Sequence, residues 1–342
     1  MKRVFDDYRE CLDALSFSPA EKNELVERLL AASAPRRRPW VARAAAIAGL
    51  ALVLGAGAGV ARATGAIDAV AAYVASAFWG GQASDDVVGQ VGRPLGASAA
   101  CDGVTVTAEA VYGDRYAFAV VLSVKREDGE DFEGLLDSAS PSSRGLCFES
   151  MSLEVDGGEK DVVSSGSFSD AFPGDNAHEF VILANAGIGE GGVQGSTARV
   201  TLGDLYVHGA HPGDPDTPLA EGEWSLEVPL DYEDTTVELS AGQEATVGGV
   251  TLTVREATVS PLSASFVCEV GSGGLDLATA LPVTVTLVDG TSFEVLNGGS
   301  QVSPRPDGGF DVTVGVIFDR ILDVSDIASV AIGDVAIEVP RG

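Results

Sequence analysis

From residue 100 onward, apolar and polar positions alternate with period two. Val104, Val106, Ala108 and Ala110 interleave with Thr105, Thr107 and Glu109, the pattern of a strand with one face buried. Further strands are expected at 116–124, 151–155, 179–184, 198–207 and 223–230, punctuated by Gly, Pro, Ser and Asp. A second set is expected at 236–239, 245–254, 263–270, 281–288, 291–296, 310–317 and 328–339. Val288-Asp289-Gly290-Thr291 carries the two-residue hairpin signal. Short strands at regular spacing imply β-sandwiches.

The two sets are related. Residues 102–124 align with 248–270 without a gap, with identities at Gly103/Gly249, Val104/Val250, Thr105/Thr251, Thr107/Thr253, Val121/Val267 and Val124/Val270. Both segments describe one strand–turn–strand unit opening a domain. The expected fold class is therefore mainly β: two tandem immunoglobulin-like β-sandwich domains, at 100–233 and 234–342.

Before residue 100 the period is helical. A first helix is expected over about 2–14, with Val4, Tyr8, Cys11 and Leu15 on one face. Ser18-Pro19-Ala20-Glu21 then supplies an N-cap Ser, a Pro at the first helical position and a Glu two residues on. The second helix carries Leu25, Leu29 and Leu30. These make a helical arm, 1–35, too small for a strong core of its own.

Residues 44–61 are an uncharged run of 18 residues, about 27 Å long as a helix and close to the thickness of a bilayer's hydrocarbon. A transmembrane helix is expected at 40–62, with Gly55 and Gly59 in a GxxxG spacing that permits close helix packing. Arg36, Arg37, Arg38 and Arg43 crowd its N-terminal side. The positive-inside rule then places the arm in the cytoplasm and the rest outside, a single pass through the membrane. Ala61-Arg62-Ala63 also fits a small-x-small cleavage site, but a secretory signal rarely carries so long a leader. Residues 63–99 are expected to be an amphipathic helix at about 67–79, built on Ile67, Val70, Ala71, Val74 and Phe78, followed by a Gly/Ser/Ala-rich linker.

Charge sharpens this division. The 342-residue chain carries a formal net charge of −30. Residues 1–43 are close to neutral, so the acidity lies in the outer body. Such a body repels nucleic acid and anionic polymers. Of the four cysteines, Cys101 and Cys147 are compatible with a disulfide in an exported domain, and Cys268 lies on an alternating apolar face.

Chemistry is sparse. Residues 187–192 match GxGxxG, but no helix is expected after them, so the phosphate-binding logic fails and a turn is expected. His208, His211, Asp214 and Asp216 are weak metal candidates on a Gly/Pro loop. Acid-rich stretches at 127–133, at Asp231, Glu233 and Asp234, and at Asp319, Asp323 and Asp326 do not follow the EF-hand ligand order. No nucleophile elbow, zinc-protease helix, P-loop or Cys-x-x-Cys is present. The chain is expected to be no enzyme and to need no cofactor.

The arm LDALSFSPAEKNELVERLLAA, a single crossing, and the segments GVTVTAEAVYGDRYAFAVVLSV, GEWSLEVPLD and VTLTVREATVSPLSASF resemble the bacterial membrane-anchored proteins of unknown function associated with extracytoplasmic-function sigma factors. Those carry an immunoglobulin-like ectodomain, often with a second behind it. By that resemblance, Gly222-Glu223-Trp224 opens the last strand of the first domain, with Trp224 anchoring its core, and Ser260-Pro261 turns a hairpin of the second. The resemblance implies an anti-sigma-factor-like regulator. Its outer body senses an extracytoplasmic ligand or protein, and its arm holds a sigma factor. Cys11 is the arm's lone cysteine and has no histidine near it. The arm would therefore bind by helix-in-groove contacts through Leu12, Leu15, Leu25, Leu29 and Leu30. The alternative is a surface-anchored adhesion or ligand-binding module with no signalling role.

Overall fold

The strands expected from alternation form antiparallel sheets in two matching pairs. The computed structural model describes residues 87, 90–132, 145–156, 162–169, 175–186, 191–207, 217–271, 281–295 and 298–341. All of them fall within one compact unit, Gly49–Gly342. The helical arm with its five leucines, the transmembrane helix with Gly55 and Gly59, and the amphipathic helix lie outside the described residues. No helix among the described residues is long and apolar enough to cross a membrane.

The first pair of sheets uses β1 (Gly92–Pro94), β2 (Ser98–Cys101), β3 (Val104–Gly113), β4 (Ala117–Arg126), β5 (Leu146–Phe148), β6 (Met151–Val155), β7 (Val163–Ser169), β8 (Ala177–Asn185), β9 (Thr197–Val207) and β10 (Thr217–Pro229). Six of them form a sheet ordered β1-β3-β4-β8-β7, with β2 also on β3, and the other four a sheet ordered β10-β9-β5, with β6 also on β9. The second pair uses β11 (Val237–Glu238), β12 (Glu244–Val247), β13 (Val250–Val259), β14 (Ser263–Val270), β15 (Val283–Leu287), β16 (Ser292–Val295), β17 (Gly298–Pro304), β18 (Phe310–Ile317), β19 (Ile327–Ile332) and β20 (Val335–Glu338). Its sheets are ordered β11-β13-β14-β18-β17, with β12 on β13, and β16-β15-β19-β20.

Each pair closes on its own core. In the first, Val106, Phe118, Leu122 and Ile182 of the six-stranded sheet meet Val200, Leu202, Trp224 and Leu226 of the four-stranded one. In the second, Leu252, Phe266, Cys268 and Val314 meet Val283, Val285, Val330 and Ile337. Inward residues recur at every second position because a strand presents alternate side chains to each face. Burial pushes the Cys268 thiol up to about 12, as suits a cysteine serving as a small hydrophobe. Cys101 and Cys147 are not joined in a disulfide; the Cys147 thiol donates to the Tyr206 carbonyl at 3.8 Å.

The internal repeat extends to details of register. The β3–β4 ladder slips between Ala108 and Ala110, and the β13–β14 ladder between Val254 and Glu256. The extra residues, Glu109 and Arg255, occupy one position of the ungapped alignment, so the bulge recurs with the repeat.

Several elements differ from expectation, for local reasons. β1 and part of β2 lie in the stretch expected as linker, 80–99. Their sequences, GRP and SAAC, have no β-branched or aromatic residue, yet their backbones pair with β3 along its edge. The stretches 245–254 and 328–339 are each a hairpin, not one strand. Gly248 and Gly249, at φ 59° and 83°, make the first turn so tightly that alternation runs on through it. Gly222 to Trp224 fall inside β10 instead of opening it: Thr217, Pro218 and Ala220 pair with Val207, Tyr206 and Leu205, the register shifts after Pro218 and again after Ala220, and regular pairing resumes at Glu223.

Candidate functional site

The β4 segment Ala117-Phe118-Ala119-Val120-Val121-Leu122 does not alternate, and every residue in it is buried. Such a run signals a strand covered on both faces. Phe118, Val120 and Leu122 face the first core. Ala117, Ala119 and Val121 join Ala110, Tyr112 and Val181 in a separate cluster that includes Leu262, Ile317 and Ile321 of the second module. The outer face of the first module's larger sheet is thus covered, at the junction between modules, by the second module together with Val87 and Val91.

Equivalent elements meet there. The Gly113-to-Ala117 turn of the first module lies against the Ser260-to-Ser263 turn of the second. The repeat alignment matches Asp114 to Ser260 and Ala117 to Ser263. Ladder pairs Ala117–Asn185 and Ser263–Ile317 then match Asn185 to Ile317 and Leu183 to Gly315. Asn185 lies against Gly315, where a Cβ would sit 2.6 Å from its amide. Leu183 and Ile317, the exchanged pair, share the junction cluster. The junction therefore has the exchange relation of a two-fold dimer interface, built within one chain.

Asp114 is the polar centre of this junction and is 1% exposed. Its Oδ1 accepts from the backbone N–H of Tyr116 at 2.8 Å and of Ala117 at 2.7 Å. Its Oδ2 accepts from the hydroxyls of Ser260 and Ser263, both at 2.5 Å. Ser260 Oγ in turn accepts from the N–H groups of Leu262 and Ser263. Burial pushes the Asp114 carboxyl above its ordinary value, against the lowering effect of these four donors. Tyr232 stands over the same turn. A Cβ on Gly113 would lie 2.0 Å from its ring, so only glycine fits there. Burial, with Asp114 and Asp234 nearby, holds the Tyr232 phenol well above its usual range.

Arg115, the next residue, binds the segment connecting the modules. Its Nε donates to Asp234 at 2.8 Å, its Nη1 to Glu238 at 3.3 Å and its backbone N–H to Thr236 Oγ1 at 3.3 Å. The hydrogen bond to Asp234 raises the guanidinium's already high proton affinity. Asp234 is held low by Thr236 and Arg115, against a burial effect that would raise it.

Beside this turn the modules leave a cavity of about 300 Å³, between β7 and β8 on one side and β17 and β18 on the other. Its wall contains no charged and no aromatic side chain. It sits where ligand sites are common, at an interface between modules.

Of the sequence-derived candidates, His208, His211, Asp214 and Asp216 lie outside the described residues, as do the arm leucines. Gly191 and Gly192 of the GxGxxG stretch lead through a turn into β9, with no helix between. Asp319 pairs with Arg320, and Asp323 caps a short 3-10 turn at Val324–Asp326. Among the described residues no group of three or more His, Cys, Asp or Glu could hold a metal. Sequence reasoning missed Asp114 and the cavity. The available signals were the unbroken apolar run in β4 and a carboxylate standing where the repeat has a hydroxyl.

No protein-family model matches the chain. No curated protein matches it. It is similar to a solved structure described as the crystal structure of the conserved domain protein from Bacillus anthracis, at 13% identity and a TM-score of 0.48, covering 70% of this chain and 75% of that one.

Proposed function

We propose that this chain is a single-pass membrane regulator, anti-sigma-factor-like, with its arm in the bacterial cytoplasm and two immunoglobulin-like sandwiches outside. The observation that carries this reading is the uncharged run 44–61, set between an arginine-rich flank and a strongly acidic body. That arrangement separates a leucine-bearing arm from a folded ectodomain by one bilayer. The reading assigns binding and signalling to the chain, and no catalysis. The outer body would meet an envelope ligand or protein, and the arm would hold a sigma factor through Leu12, Leu15, Leu25, Leu29 and Leu30. The buried junction supports it in one respect: a shared apolar cluster and the contacts of Asp114 with Ser260 and Ser263 link the two modules, which gives an event at one a route to the other.

The test has two arms. Protease added to intact cells is expected to digest the two sandwiches and spare the arm. Deleting residues 1–33 is expected to switch on a defined set of transcripts. Sandwiches protected until lysis overturn the orientation. A deletion that changes surface binding but no transcript favours the adhesion alternative.

A further inference from the structure

We draw no further inference here: the strongest candidate, the uncharged cavity of about 300 Å³ between β7 and β8 of the first module and β17 and β18 of the second, carries none because nothing in the structure shows what fills it.

Discussion

Asp114→Ala is expected to destabilise the protein by about 3 kcal/mol and to separate the unfolding of the two modules. The carboxylate accepts two backbone N–H groups of its own turn and two hydroxyls from residues 146 and 149 positions further along the chain. Alanine removes all four acceptor contacts in a place that water does not reach. The N–H donors of Tyr116 and Ala117 lose the Oδ1 they share, and the two serines lose the group that joins them to the first module. A neutral buried donor left unpaired costs about 1–3 kcal/mol. The serines can recover part of this, since Ser260 Oγ also lies within 3.4 Å of the Ser263 carbonyl. Urea titration followed by tryptophan fluorescence and by circular dichroism checks it. The gap between the fluorescence curve, which follows Trp224 of the first module, and the circular dichroism curve, which follows both modules, is expected to be wider in the variant than in the parent chain. Two coincident curves in the variant would mean that the apolar contacts alone hold the junction together.

Asp114 also gives the junction a pH dependence opposite to that of a salt-bridged carboxylate. Its folded-state value lies above the ordinary 3.8 because burial disfavours the charged form. Between the unfolded and the folded values, the folded state binds more protons than the unfolded one. Stability from this group therefore falls as pH rises through that window, and the penalty is complete above it. The groups facing Asp114 do not reverse this. Tyr232 stays neutral with its phenol pushed up, and Arg115 turns its charge to Asp234 and Glu238. Asp114→Asn keeps an oxygen for the two N–H groups and places its amide against the Ser263 hydroxyl, which can accept from it, while Ser260 Oγ already accepts from two N–H groups. It is expected to cost less than about 1 kcal/mol at neutral pH and to abolish this part of the slope. The difference in urea midpoint between parent and variant, followed from pH 4 to pH 8, isolates it from the general repulsion of the acidic surface. A difference that stays constant across that range would assign Asp114 the same protonation state in both forms.

Alternation made most of the strands legible. β6, β14 and β18 lie at 151–155, 263–270 and 310–317, as period two required. The missed strands lack that signal. β7 reads VSSGSFS and β17 GGSQVSP, where backbone pairing with a neighbour does what side-chain burial does elsewhere. β5 is three residues long, too short for any period to show. The junction was illegible for a different reason. Its groups are local in neither sequence nor pattern: Asp114 stands in a turn of the kind solvated aspartates favour, and only the fold brings Ser260 and Ser263 to it. The cavity is harder still, because its edges contribute backbone, which sequence does not label.

Trp224→Ala is expected to destabilise the first module by about 4 kcal/mol and to leave the second close to its parent stability. Trp224 lies on β10 in the four-stranded sheet, wholly buried. Its Nε1–H donates to the Val104 carbonyl at 3.0 Å, on β3 in the opposite sheet. The indole thus fills the space between the sheets and bonds them. Phe148 meets it edge-on with ring centres 5.8 Å apart, and Phe168 and Phe180 surround Phe148 in turn. Alanine removes the largest fully buried side chain among the described residues and leaves a cavity that the three remaining packed rings cannot collapse into without moving a sheet. Trp224→Phe separates volume from hydrogen bonding: it is expected to cost about 1–2 kcal/mol, mostly from withdrawing the donor at Val104. The second module has its own core, with no residue shared with the first. Its transition, followed by circular dichroism in urea, should therefore move only by what is lost through the junction. Parallel destabilisation of both modules by the full amount would show that they unfold as one cooperative unit, with the junction stronger than either core.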